Sequence, residues 1–333
     1  MTLEKNTSTA FRISYFVGIV LSVFHVWTLN FKPLPPASFR TTHVLLTMLL
    51  VYLIYDRKGV KNPQLLLFDK VIPLMLTLAS MGYAFFQVEA IMHRGGIHTT
   101  NWDIIMGVVA LLVVLEATRR TVGLALPILA VIFLGYAYLG GYVPGYFGHT
   151  GYSTKRIMTV IYSYDGIFGT PVAVIATFVV MFIVFGAFLE ATGAGDYFLE
   201  LAKSLTGKQR GGPAKIATVA SGFFGSISGS AVANVAATGA FTIPMMKKTG
   251  YSPTFAAAVE AAASTGGQFM PPVMAAGAFL MAEILGVPYT SIMKASVIPA
   301  ILYFITIWFT IDLRSAKIGL KGLEPELVPP LKE

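Results

Sequence analysis

The 333-residue chain has no cysteine, and only 12% of its residues are charged. The first absence excludes disulfides, cysteine-ligated zinc and thiol catalysis. The second, set against 55% hydrophobic residues, excludes a soluble domain and points to an integral membrane protein. No G-x-x-x-x-G-K-[ST] run occurs, so the sequence carries no P-loop for ATP. His25, His43, His93, His98 and His149 make no H-x-x-x-H spacing and read as interfacial or loop residues. The net charge of +8 comes from basic residues spread over loop ends, which fits membrane topology and not a nucleic-acid patch. No nucleic-acid partner is expected. A serine hydrolase is excluded by Gly225-Ser226-Ile227-Ser228-Gly229, which puts Ile where G-x-S-x-G needs its nucleophile. No enzyme is expected.

What the chain does have is long apolar runs. Phe11–Thr28, Thr42–Tyr55, Val71–Ala90 and Ile104–Ala117 form a first block of four spans. Turn signals at Arg57-Lys58-Gly59 and Arg94-Gly95-Gly96 separate them. The block is nearly free of polar residues at membrane depth, which suits a scaffold; Glu89 and Glu116 lie near span ends. The first run is read as a retained helix because it is long for a signal peptide and no small-x-small cleavage site follows it. After Arg119-Arg120, Val122–Tyr142 and Val172–Leu189 are further spans, and Ser291–Asp312 is the last. Residues 146–170 and 190–210 are amphipathic and read as interfacial helices.

The stretch from Gly211 to Tyr251 is different. It is apolar and rich in small residues, and Gly225-Ser226-Ile227-Ser228-Gly229-Ser230 cuts it in two. Each leg is too short to span a bilayer, which needs roughly 20 residues. Lys208, Arg210 and Lys215 stand at one end, and Lys247 and Lys248 at the other. Short Lys/Arg-rich loops stay cytoplasmic, so both ends belong inside and the stretch is a re-entrant hairpin. With the N-terminus inside, only Lys32, Arg40, Arg94, Lys155, Arg156 and Lys294 then fall outside. The expectation is an all-α integral membrane protein with both termini cytoplasmic. It has about eight transmembrane helices, one re-entrant helical hairpin and interfacial amphipathic helices.

A second break follows directly. The run from Pro253 to Ser264 is interrupted at Thr265-Gly266-Gly267-Gln268 and Pro271-Pro272, and resumes through Val273–Leu285. At such a break one half-helix presents N–H groups that favour an anion and the other presents C=O groups that can coordinate Na⁺. Gly225 suits the C-cap of the first hairpin leg, and Ser228 or Ser230 the N-cap of the second. Asn234 lies about one turn into the second leg and could face a cavity, Ser264, Thr265 and Gln268 offer side-chain oxygens at the second break, and Gly266 and Gly267 let backbone carbonyls turn inward. No carboxylate stands at either break, so neutral oxygens suit Na⁺ better than Ca²⁺. The competing reading is close packing of helices through Ala231, Ala233, Ala236, Ala237, Gly239, Ala240 and Ala256–Ala258, with no ligand. Glu260 is the one acid set firmly inside an apolar segment. It is either a proton or polar relay or a capped structural hydrogen bond.

GSISGSAVANVAATGAFTIPMMKKTGY at 225–251 and VEAAASTGGQFMPP at 259–272 resemble the large membrane subunit of tripartite ATP-independent periplasmic (TRAP) transporters. The four-span block resembles the small membrane subunit fused ahead of it, and RGGPAK at 210–215 and AVEAAASTGGQ at 258–268 resemble the TAXI subgroup. The resemblance runs from about residue 10 to 325. It implies an elevator-type secondary transporter of the bacterial inner membrane, with ion-binding residues Ser226, Ser228, Gly229, Ser230, Asn234, Thr265, Gly266 and Gly267 and substrate contacts Asn234, Ser264 and Gln268. A periplasmic solute-binding protein would deliver a small organic acid or amino acid. A Na⁺ gradient, or protons, would drive uptake with no other cofactor, and membrane lipids would surround the permease. It further implies a scaffold domain at 1–120, arm helices at 121–210, a first transport repeat at 211–312 and a tail or linker at 313–333.

The family's large subunit has two inverted halves, each with a hairpin and a broken helix, and one such set is found here. The second half is expected in the same or a separate chain, and residues 1–333 alone are not expected to transport. The alternatives are a non-transporting membrane scaffold or assembly subunit, and another Na⁺-coupled dicarboxylate elevator carrier.

Overall fold

A computed structural model describes residues 9–56, 63–94 and 99–330, with no side-chain account for 9–11 and 63–67. The turn signals at 57–59 and 95–96, Lys5 and His98 lie outside the described residues. Among those described, every regular element is helical. The chain packs into two compact units, Met1–Thr177 and Phe178–Glu333.

The first unit contains α1 (Thr9–Asn30), α2 (Pro36–Ile54), α3 (Pro63–Phe86), α4 (Val88–Arg94), α5 (Asn101–Thr121), α6 (Ala125–Leu139), α7 (Thr154–Ile161) and α8 (Thr170–Val174). Local chemistry sets their starts. Pro36 opens α2 at a position where its missing N–H costs nothing. Thr100 and Asp103 form a capping box on α5, with Thr100 N–H donating to Asp103 at 2.8 Å and Asp103 N–H to Thr100 at 3.2 Å. At the other end of α5, the guanidinium of Arg120 donates to Asp69 and to Glu116, at 2.8 Å each, and lies over the Tyr52 ring. Two of the expected interfacial histidines are not interfacial. His25 of α1 is fully buried and its Nε2 lies 2.9 Å from His43 Nδ1 of α2. Because His25 Nδ1 donates to the Leu21 carbonyl at 2.7 Å, the His43 N–H is the donor between the rings.

The amphipathic expectation for 146–170 reduces to α7. It buries Ile157, Met158 and Thr159 against the first unit while Lys155 and Arg156 stay exposed. Tyr162 follows it and donates to the Ser80 carbonyl of α3. Burial pushes this phenol far up, so it remains a neutral donor.

The second unit contains α9 (Val180–Ala191), α10 (Ala194–Thr206), α11 (Gly212–Ser228), α12 (Ala231–Lys248), α13 (Pro253–Gly267), α14 (Ala276–Leu285) and α15 (Tyr289–Lys317). A π-helical stretch, Ile175–Val179, joins α8 to α9 in one span. α11 and α12 fold back on each other, as the contact from Asn234 to the Ser221 carbonyl requires. α13 packs on both legs and on α15, and α14 packs on α15.

Six helices among the described residues are long and apolar enough to cross a membrane, or seven if α3 and α4, bent by 70°, count as one span. About eight were expected from the sequence. With α3 and α4 counted as one span, the remaining difference is the interrupted segment, because α13 has 15 residues and α14 has 10. Neither reaches the length of a span alone.

Candidate functional site

The hairpin is longer and its break shorter than the sequence suggested. α11 has 17 residues and α12 has 18, separated by Gly229 and Ser230 alone. Gly225 is not the C-cap. The helix continues to Ser228, and Gly229 ends it with φ +62°, its N–H donating to the Gly225 carbonyl at 2.9 Å. Gly229 wins because the cap needs the left-handed conformation, which is cheap only for glycine. Ser230 is the N-cap of α12, accepting from Ala233 N–H at 3.3 Å.

The second break also starts later than expected, with α13 running through Gly267 before residues 268–275 unwind. Ala275 N–H donates to the Gln268 carbonyl at 2.7 Å and closes this segment into a loop. Met274 in it is left-handed, with φ 58°.

The two breaks meet. Val273 N–H donates to the Ser226 carbonyl at 3.0 Å, which ties the unwound segment to the last turn of α11. A Cβ on Gly225 would sit 2.6 Å from Gly267 Cα, so the helices cross there only because both residues are glycine. Gly229 lies against the Met274 carbonyl, and Gly266 against the Tyr303 ring of α15.

The candidate side chains divide into two groups. Ser228 and Ser230 line a cavity of about 610 Å³ with Phe224, Ile227, Ala233 and Glu190. Ser226, Thr265, Gly266, Gly267 and Gln268 do not line it. The hydroxyls of Ser226 and Thr265 return to their own helices, at Phe223 and Ala261 carbonyls, 2.8 and 2.7 Å away. Asn234 does not face the cavity. It is fully buried, donates to the Ser221 carbonyl at 2.7 Å and accepts from Thr238 at 3.2 Å.

Glu260 is fully buried among hydroxyls. Its Oε1 accepts from Ser221 at 2.9 Å, Thr238 at 2.5 Å and Ser264 at 3.3 Å. Its Oε2 accepts from Thr242 at 2.5 Å. Ser264 therefore serves Glu260. Ser221, Thr238 and Thr242 were not singled out from the sequence, although Asn234, Thr238 and Thr242 repeat every four residues on one face of α12.

The open end of the hairpin is fixed to α15. Asp312 accepts from Lys215 at 2.8 Å and pairs with Arg210. Lys215 is only 3% exposed and its ammonium lies 4.6 Å from the centre of the Trp308 ring. Tyr251, whose phenol burial pushes up, contacts Ser315 at 2.5 Å.

Residues 109–333 match the family "Tripartite ATP-independent periplasmic transporter, DctM component". The isethionate TRAP transporter permease protein DctMQ of Oleidesulfovibrio alaskensis is 43% identical over 91 residues, 27% of this chain and 14% of that protein. The C4-dicarboxylate TRAP transporter large permease protein DctM of Pseudomonas aeruginosa is 33% identical over 124 residues, 36% of this chain and 28% of that one. The uncharacterized protein y4mL of Sinorhizobium fredii is 31% identical over 167 residues, 45% of this chain and 39% of its own length. The chain thus spans well under two thirds of each of these relatives. The family pattern covers more than half of the chain and contains the hairpin, both breaks and Glu260, and the chain belongs to the DctM component family of tripartite ATP-independent periplasmic transporters.

Proposed function

We propose that this chain supplies the first half of the transport machinery of a secondary active TRAP permease that takes up a small organic anion. Uptake is driven by Na⁺ or protons through an elevator movement. The observation that carries the reading is the docking of the hairpin tip on the second break, through Ser226 and Val273 and across Gly225 and Gly267. It puts the C-terminal carbonyl ends of α11 and α13 beside the N-terminal ends of α12 and α14, the first suited to a cation and the second to a carboxylate. The tip offers neutral oxygens from Ser226, Ser228, Gly229, Ser230 and the end of α13, a donor set that fits Na⁺ and not Ca²⁺.

An anionic solute is supported by the relatives' names, which specify isethionate, C4-dicarboxylate and 2,3-diketo-L-gulonate. The permease sits in the bacterial inner membrane with both termini cytoplasmic, and a periplasmic solute-binding protein hands it the solute. Residues 1–120 act as a fused, TAXI-type small-subunit block, 121–210 as arm helices, 211–312 as the first repeat of the moving part and 313–333 as a tail. A second inverted half, in the same or another chain, closes the site.

The test is Na⁺-dependent uptake in vesicles by the assembled permease with its binding protein. Gly229→Val should abolish uptake by straining the left-handed turn, so the site itself is tested by Ser228→Ala, which should lower uptake while leaving membrane insertion unchanged. Undiminished uptake by that variant would remove the hairpin tip from the site.

A further inference from the structure

Glu260 brings a second function into view. It is fully buried, and its four described partners are hydroxyls from three helices. The charged groups on the helices packed against α13 are engaged elsewhere or stand at helix ends. Lys215 of α11 pairs with Asp312 of α15, Lys247 and Lys248 occupy the last turn of α12, Lys294 stands near the start of α15, and Arg314 and Lys317 occupy its last turn, where Arg314 lies over the Phe255 ring at the start of α13. Tyr303 of α15 reaches α13 only at the Ala262 carbonyl, 2.9 Å away. No described ion pair includes Glu260.

Each hydroxyl in the shell has one proton. Three of them have a second acceptor. Thr238 can turn to the Asn234 carbonyl at 2.9 Å, Thr242 to the Thr238 carbonyl at 3.0 Å, and Ser221 to Thr238 Oγ1 at 3.1 Å. With Glu260 ionised, all four hydroxyls donate to it. With Glu260 neutral, its O–H donates to Ser221, Ser221 donates to Thr238, Thr238 donates to Asn234, and Thr242 still donates to the remaining oxygen. Both protonation states are fully hydrogen-bonded, so neither leaves a buried polar group unpaired. There is no room for a metal ion between these atoms. A Ca²⁺ ion, close to Na⁺ in size, sits about 2.3–2.6 Å from each of its oxygens. Here the carboxylate oxygens are already in direct contact with hydroxyls at 2.5 Å on both sides.

One member of the shell reaches outward. Thr238 is half-buried and lines a cavity of about 190 Å³ together with Glu190, Asp196, Leu199, Phe224 and Phe241. Glu190 and Asp196 are both exposed. They stand at the end of α9 and the start of α10, the side that the loop charges make cytoplasmic. We propose that Glu260 of α13 is a proton-binding site at the seam between α13 and the hairpin, exchanging with water in this acidic cavity through the Thr238 hydroxyl. In the loading step, a hydronium ion in the cavity gives a proton to Thr238 Oγ1. Thr238 releases its own proton to Glu260 Oε1, leaving water and a neutral carboxylic acid. Unloading is the reverse. The use of this proton in transport rests on the function proposed above, but the exchange itself does not.

The test is infrared spectroscopy of the purified full chain in lipid nanodiscs, with no solute and no binding protein. The carboxylic-acid C=O band is followed on lowering the pH, in Na⁺ and again in choline. A band absent from Glu260→Gln should grow in, equally in both salts. After transfer to D₂O its deuterium shift should be slowed by about tenfold or more in Thr238→Val, and less in Asp196→Asn. Glu260→Gln is isosteric, and its thermal transition reports whether the fold is kept. If it unfolds, Thr238→Val alone decides by its exchange rate. A carboxyl signal that never changes with pH, a band that Na⁺ suppresses, or exchange unaffected by Thr238→Val would overturn the proposal. Failure of uptake in the vesicle assay would leave this result untouched, so the two readings fail separately.

Discussion

Gly225 and Gly267 face each other where α11 crosses α13, and a Cβ on either would lie 2.6 Å from the Cα of the other. This contact is what lets the hairpin tip reach the second break. Alanine at either position forces backbone apart in a packed interior, at a cost of about 1–3 kcal/mol. Gly277, whose Cβ would meet nothing within 4 Å, is the matched control. Thermal unfolding in detergent should show Gly225→Ala and Gly267→Ala destabilised and Gly277→Ala close to wild type. Equal stability of all three would mean that the crossing is looser than described.

The two residues of the hairpin turn make different contributions. Loss of the Ser230 cap in Ser230→Ala should cost about 0.5–2 kcal/mol. Gly229→Ala should cost more, because it meets a left-handed backbone and the Met274 carbonyl together. The same unfolding assay ranks them, and the reverse order would contradict the geometry of the turn.

Single cysteines give an unambiguous topology test, since the sequence has none of its own. Gln209, Lys248 and Tyr146 are all exposed. With a re-entrant hairpin, Gln209→Cys and Lys248→Cys react with an impermeant maleimide from the same side of oriented vesicles. Tyr146→Cys reacts from the opposite side. Labelling of Gln209→Cys and Lys248→Cys from opposite faces would make the stretch 211–251 a spanning segment.

The sequence revealed the breaks but not how they close. A Gly/Ser run announces an interruption, yet Gly225 and Gly229 are chemically the same residue. Which one caps α11 depends on Gly267, 42 positions beyond Gly225. Glu260 stood out as an acid in an apolar run, but its partners Ser221, Thr238 and Thr242 come from two other helices. Asn234 was expected at the cavity because it lies one turn into α12. A buried amide needs partners, and the Ser221 carbonyl supplies one. The His25–His43 pair was invisible for the same reason, since the two residues meet only after α1 and α2 pack.

The bond from Val273 N–H to the Ser226 carbonyl also fixes the unit in which this chain can be exchanged with its relatives. A chimera carrying a foreign 211–251 would set a new tip against the native Met274 carbonyl and a new Gly225 face against the native Gly267. The smallest graft that keeps the tip with its seat runs from 211 to 275, and its Lys215 and Tyr251 must still find Asp312 and Ser315 on the recipient's α15.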